Sequence, residues 1–393
     1  MFSSRLDWHA QPNRVSKLLA ARRAAGLPVL DLTQSNPTAA GIDYPSDAIL
    51  EALADRRSLV YEPAPAGSRE ARLAVTGYYG RRGHDVDPED ILLTASTSES
   101  YGFLFKLLAG PGDEVLVPRP SYPLFEFLAS LESLRAVPYS LAYHGRWGID
   151  FGSLQAAAGP RTRAIIIVNP NNHTGSFLSR EELAAVSELA RERDLALVCD
   201  EVFADFALEE GDPRRVATVA DWAGAPAFAL SGLSKVAGLP QIKLGWIAIA
   251  GPADFRDAAR ERLETIADTY LSVSTPVQHA AARLIGSAGV ACESIRRRTR
   301  GNLALLREKL TAIPALEILR AEGGWYAVIR VPRTRSEEEW VLELLDRHGV
   351  LVQPGFFYDF EQEAFLVVSL LTAPSVFEAG IDRLLEMAHS PAD

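Results

Sequence analysis

Four short segments of this 393-residue chain carry residue types that could do chemistry. Ser231-Gly232-Leu233-Ser234-Lys235 ends in a lysine just behind an apolar run. A lysine amine becomes a nucleophile or an imine-forming group when partial desolvation lowers its pKa, and the end of a core strand among small residues provides that setting. The same residues also suit a plain surface loop. Asp200 closes the apolar run 195–199. An acid at the carboxyl edge of a buried parallel strand lies where open α/β sheets bind ligands, and it equally suits a helix cap or a core hydrogen bond. Asn169-Pro170-Asn171-Asn172-His173-Thr174-Gly175 follows another apolar run. Its amides can donate to a ligand oxygen, or the segment is a turn built from turn-forming residues. Thr94-Ala95-Ser96-Thr97-Ser98-Glu99 leads into a helix beginning near Ser98. Small hydroxyl residues there make either an anion site at a helix N-terminus or an ordinary N-cap.

The elements that must position these segments are read from periodicity. Apolar runs at 91–94, 114–117, 164–168, 196–199, 227–230 and 244–250 are strand candidates, and helical patterns fall between several of them. Ser179-Arg180-Glu181-Glu182 has capping-box spacing and opens a helix to about Arg193. This alternation predicts an α/β fold: a large domain with a mostly parallel sheet flanked by helices. After about residue 290 a long helical pattern leads into short strands around 315–331 and 349–353, a helix at about 336–347, a strand near 365–369 and a last helix. The division expected is 46–290 for the large domain, with 1–45 and 291–393 forming a smaller α+β domain.

Composition narrows the function. A net charge of −11 argues against a nucleic-acid partner. The run Arg296-Arg297-Arg298 with Arg300 reads as a solvated helix face, with a phosphate patch as the other reading. The 2 Cys, Cys199 and Cys292, form no framework, which suits a reducing compartment. A polar N-terminus and the lack of a long apolar run point to a cytoplasmic chain with no membrane contact. The 7 His are scattered, so no metal site is expected. No G-x-G-x-x-G follows an early strand, which argues against a nicotinamide enzyme.

In this order and context the four segments resemble the aspartate aminotransferase superfamily, the fold type I, class I/II aminotransferases that use pyridoxal 5'-phosphate (PLP). The resemblance runs from Asp31-Leu32-Thr33-Gln34-Ser35-Asn36-Pro37 to Phe365–Ser369. It implies that Lys235 holds PLP as a Schiff base and shuttles the proton, and that Asp200 pairs with the pyridine nitrogen. Asn172 would bond the ring hydroxyl and Tyr122 would stack on the ring. Thr97 and Ser98 would cradle the phosphate, joined by Tyr61 from a second subunit, hence a homodimer with shared active sites. The implied activity is transfer of an amino group between an amino acid or amine and a keto acid. A lyase or decarboxylase on the same scaffold, or a non-catalytic PLP-fold binding protein, stays open beside it.

Several positions depart from the family pattern. Phe203 stands where a tyrosine would donate to the ring oxygen. Lys243 replaces an arginine expected on the phosphate; it keeps the charge and loses the bidentate fork. Gly232 replaces a serine, so Ser234 or Ser231 would serve the phosphate. Ser35, beside Asn36 in the substrate loop, replaces a glycine, and His173 stands where relatives often have proline. Val367 occupies the place of the arginine that clamps the substrate carboxylate, and no Arg or Lys lies between Phe356 and Ile381. Arg14 and Arg330 are the candidate substitutes. Tyr122, Phe125, Phe127, Trp325, Tyr326, Phe356, Phe357 and Tyr358 either line a roomy pocket or belong to the core.

Overall fold

The central strands are apolar at successive positions because both of their faces are covered. In the computed structural model, which describes residues 2–6 and 11–389, Ile165, Ile167, Leu197, Cys199, Ala227 and Ala229 join one core. Ile166, Val168, Ala196, Val198, Phe228 and Leu230 join another. Apolar residues on both phases of a period-two strand are what a sheet between two helical layers requires.

Among the described residues the large sheet has eight strands. They are β1 (Ile91–Thr94), β2 (Glu114–Arg119), β3 (Arg135–Tyr143), β4 (Trp147–Ile149), β5 (Thr162–Val168), β6 (Ala196–Asp200), β7 (Ala227–Gly232) and β8 (Gly245–Ala250). Their order is β1-β8-β7-β6-β5-β2-β3-β4. β3, β2, β5, β6 and β7 run parallel. β8 is antiparallel to both β7 and β1, and β4 is antiparallel to β3. β1 therefore points the same way as β7. Thr94, Val168, Asp200 and Gly232 all close their strands at one edge, and the four chemistry-bearing segments emerge side by side there.

The expected strands agree with the structure to within two residues at either end. β3 and β4 have no counterpart among the sequence candidates. β3 contains Pro138 and is mostly half-buried, so it lacks the continuous apolar signal of the inner strands. The helix Arg180–Arg193 opens with the expected capping box between Ser179 and Glu182.

A second sheet, of four strands, has Tyr326–Arg330 and Phe365–Ser369 at its centre. Its core includes Ile329, Leu366, Trp340 and Phe377, and Val15 and Leu32 from the N-terminal segment pack into it. The helix Thr275–Leu310 passes residue 290 without a break. Ala280, Leu284 and Ile295 on it belong to the first core, and Leu303, Leu306 and Leu310 to that of the second sheet. The arginine run lies on this helix and does more than solvate it: Arg298 donates to the Ala40 carbonyl and Arg300 to the Ala207 carbonyl, both at 2.8 Å.

The Asn-rich turn is fastened to the segment leading into the second sheet. The Gly175 carbonyl accepts from the Glu322 and Gly323 amides at 3.0 and 2.9 Å. Gly175 has φ +73°, and a Cβ there would lie 2.6 Å from the Gly323 oxygen. Gly175→Ala therefore meets both left-handed strain and a backbone clash, with an expected loss of about 3 kcal/mol or more. Gly211, at φ +82° with open space around it, meets only the strain, about 1 kcal/mol. Urea unfolding of the two variants checks the difference; equal losses would mean that the Gly175–Gly323 contact contributes nothing.

Candidate active site

Lys235 sits on the short helix Leu233–Val236 immediately after β7. The Leu233 amide donates to the Leu244 carbonyl at 2.8 Å, which turns the chain back at the sheet edge. The Lys235 Nζ stands 5.1 Å from the Trp325 ring centre and 5.5 Å from that of Phe203. Those rings meet edge to face at 5.2 Å, and Trp325 is fully buried. Burial lowers the pKa of the amine, and the Asp200 charge opposes the shift. No described carboxylate forms an ion pair with Lys235 within 4 Å, so the amine is held beside aromatic walls and available for reaction.

Asp200 closes β6. Burial raises its pKa from 3.8 to about 6, against the Val202 amide, the Tyr101 hydroxyl and the Lys235 charge. The Val202 amide donates to Oδ1 at 3.1 Å and the Tyr101 hydroxyl to Oδ2 at 3.2 Å. Tyr101 lies on the helix Thr97–Leu108, one turn past the hydroxyl-rich segment. It ties Asp200 to that helix and was not singled out by the sequence; its signal would have been its spacing of four from Thr97.

The helix begins at Thr97, one residue earlier than expected, with Ser96 as its N-cap accepting from the Glu99 amide. The Thr97 and Ser98 amides occupy the first two helical positions, where no intrahelical acceptor exists, and the helix dipole adds positive potential there. Gly245 closes over this turn. A Cβ on it would lie 3.0 Å from the Ser96 carbonyl carbon and 3.2 Å from the Thr97 nitrogen. The cap and the anion-site readings therefore divide by residue: Ser96 caps, and Thr97 and Ser98 present the open amides.

Asn172 and Ser231 border the same edge, each with a buried side-chain oxygen that has no hydrogen-bond partner among the described residues. Such orphans are costly unless a ligand satisfies them. Gly232 has its own steric reason: a Cβ there would lie 2.8 Å from the Leu244 oxygen. The serine of the family pattern does not fit this packing. Phe203 is buried within the aromatic wall, and Ser234 lies half-buried one residue before Lys235. Tyr122 is half-exposed, with its ring 6.5 Å from that of His173.

Other expected residues lie farther out. Lys243 is exposed, at φ +60°, two residues before Gly245. Tyr61 is 73% exposed and lines a groove with Phe103, Leu271 and Ser272. Asn36 caps the turn Pro37–Ala39 by accepting from the Thr38 amide. Val367 is buried beside Trp147 and Tyr358. Arg14 and Arg330 are each paired at the surface, Arg14 with Glu338 at 2.8 Å and Arg330 with Glu317 at 2.6 Å.

The arrangement offers one half-buried amine, one half-buried acid, an open helix N-terminus and unsatisfied amide and hydroxyl oxygens along a single edge. It suits a phosphorylated, electron-poor ring that reacts with an amine. Comparison with known proteins agrees. The family model described as aminotransferase class I and II matches residues 28–384. Glutamate-pyruvate aminotransferase AlaA of Escherichia coli (strain K12) is 29% identical over 355 residues, 88% of this chain and 87% of that protein. An alanine aminotransferase of Mycobacterium tuberculosis (strain ATCC 25618 / H37Rv) is 29% identical over 383 residues, 93% of this chain and 87% of that protein. Among solved structures, an aminotransferase from Escherichia coli superposes with a TM-score of 0.85 at 26% identity, covering 100% of this chain and 99% of that one. A single mutant of Thermus thermophilus aspartate aminotransferase gives 0.82 at 25% identity, covering 98% and 99%.

The Asp200 shift has a consequence for stability. Its folded-state pKa of about 6 lies above the ordinary 3.8, so between those values the folded chain holds a proton that the unfolded chain has released. Stability therefore falls as pH rises from about 4 through 6, and the penalty is complete above that window. Asp200→Asn removes the ionisation. In cofactor-free protein it is expected to raise the melting temperature at pH 7.5 and to give little or no gain at pH 4. Scanning calorimetry across this range checks it; a gain independent of pH would exclude ionisation as the cause.

Proposed function

The chain belongs to the class I and II aminotransferases, which are PLP enzymes, and on that premise we propose the roles its residues take in moving an amino group between an amino acid and a keto acid. One observation carries the proposal: a desolvated, unpaired lysine beside a half-buried acid, at the edge where open amides and orphaned oxygens gather. PLP fits that donor set. The Thr97 and Ser98 amides with Lys243 and Ser234 would take its phosphate, Asn172 its ring hydroxyl, Asp200 its ring nitrogen and Tyr122 its face. Bound PLP supplies a carbonyl that accepts the amino group and a ring that accepts the electrons left at the substrate carbon.

The protein's own groups do the rest. Lys235 Nζ, its pKa lowered by burial, would hold the cofactor and carry the proton between carbon atoms. Asp200, ionised at neutral pH, would keep the ring nitrogen protonated. Trp325 and Phe203 exclude water from the amine. Phe203 offers no donor to the ring oxygen, and Ser35 and Asn36 would border the substrate, whereas Val367, expected beside them, is sealed in an apolar cluster.

Homodimerisation is part of the proposal. Leu59, Val60 and Tyr61 are exposed in succession, and Leu271 shares the Tyr61 groove. A second copy covering this apolar surface would bring Tyr61 to its site. The expected two-domain division, 46–290 against 1–45 with 291–393, would then place the boundary within the helix Thr275–Leu310. Two buried, unpaired cysteines suit a cytoplasmic setting.

Mixing holoenzyme with a panel of amino acids, without acceptor, is expected to release one equivalent of keto acid per Lys235 and stop. The names of the relatives make alanine and glutamate the first donors to try. Lys235→Ala is expected to release none, and continuous turnover without acceptor would favour lyase chemistry instead. Phe203→Tyr adds the missing donor and is expected to move the pH midpoint of the bound chromophore down by roughly one unit. A visible-absorption titration of wild type and variant checks this, and an unmoved midpoint would remove Phe203 from the cofactor's surroundings.

A further inference from the structure

Val367, where the family resemblance expects a carboxylate-binding arginine, belongs to an apolar wall. Val367 is buried with Trp147, Val328 and Tyr358, and its neighbour Leu366 turns to the opposite core. A one-residue shift in register would therefore not bring a new side chain to this face. The nearby polar groups are aromatic. The His173 ring centre stands 4.2 Å from that of Tyr326 and 3.6 Å from that of Tyr358. The Ser35 side chain, exposed to solvent, lies near enough to the Tyr326 phenol to oppose the rise in its pKa.

Burial holds these groups neutral. It lowers His173 to about 3 and raises Tyr326 to about 12, and Tyr358 is raised as well. The cluster also adjoins the reactive groups. Asn172 precedes His173 in the chain, and Trp325, against Lys235, precedes Tyr326. The His173 Nδ1 is buried with no hydrogen-bond partner among the described residues. A fold has no reason to seal a polar ring there for packing alone, since an apolar residue of similar size would avoid the desolvation.

We propose that the substrate carboxylate is held by uncharged donors, the hydroxyls of Tyr326 and Ser35, with His173 as the residue that positions Tyr326 and Tyr358. The inference rests on the aminotransferase reading only for the class of ligand, a 2-amino or 2-oxo acid. Hydroxyls can satisfy a carboxylate by hydrogen bonds, which are stronger to an anion than to a neutral oxygen. The acid is therefore preferred over its amide, without an ion pair.

The test is equilibrium binding to the holoenzyme of 3-phenylpropionate, an unreactive acid, and of its amide, by calorimetry. Tyr326→Phe and Ser35→Ala each remove one hydroxyl and little else. Each is expected to weaken the acid by roughly tenfold, and the pair by up to about a hundredfold, with a smaller loss for the amide. His173→Leu is expected to raise KM for the amino donor more than it lowers kcat. His173→Asn, which returns a donor near Nδ1, is expected to recover part of the affinity. Unchanged cofactor absorption in the variants shows that the fold is intact. The proposal is overturned if the acid does not bind wild type, if its affinity is unchanged in Tyr326→Phe and Ser35→Ala, or if acid and amide weaken alike. Binding needs no turnover, so the two readings fail separately. Hydroxyl-dependent binding without amino transfer would sink the aminotransferase reading alone, and amino transfer with unchanged binding would sink this one alone.

Discussion

Desolvation of Lys235 and Asp200 at one sheet edge is the constraint on which the site depends. Burial moves the two pKa values toward each other, the amine down and the acid up. Neither group would gain from that in a protein with no ligand to bind. Their mutual attraction offsets part of the penalty, but no direct ion pair forms, so the amine stays available. A contact pair would have satisfied both charges and removed the nucleophile.

The sheet holds this arrangement through its direction. β5, β6 and β7 are parallel neighbours, so the turns after Val168, Asp200 and Gly232 emerge together. β8 reverses between β7 and β1, which brings Gly245 against the Thr97 turn. The Tyr101 hydroxyl then links that helix to Asp200. The aromatic wall comes from farther along the chain. Trp325 reaches Lys235 because the Gly175 carbonyl accepts two amides from the segment just before it, in a space that only glycine permits.

The departures from the family pattern have local physical causes. Gly232 is required by the close approach of the Leu244 backbone, so the serine expected there is sterically excluded. Val367 is one face of a packed apolar cluster, and an arginine at that position would bury an unpaired charge. His173 fits in place of proline because Tyr326 and Tyr358 provide faces for its ring. Asn172 and Ser231 each keep a buried oxygen without a partner among the described residues.

How much was legible in the sequence follows the range of the interactions. Strand phase and helix caps are set by neighbours two to four residues apart, so β1, β5, β6, β7, the helix Arg180–Arg193 and the strand Phe365–Ser369 could be read directly. The placement of Lys235, Asp200, Asn172 and the Thr97–Ser98 turn at strand ends could be read because each adjoins such an element. β3 could not, because its order comes from pairing with β2 rather than from its own apolar pattern. Contacts between distant residues were decided only by the tertiary structure. It put Arg14 and Arg330 into surface ion pairs, joined Tyr101 to Asp200, sealed Val367 and enclosed His173 between two phenols. The sequence alone determined which residue types stand at the strand ends. Packing determined which side chains surround them and with what charge, because burial and partner choice belong to the folded surroundings and not to the residue itself.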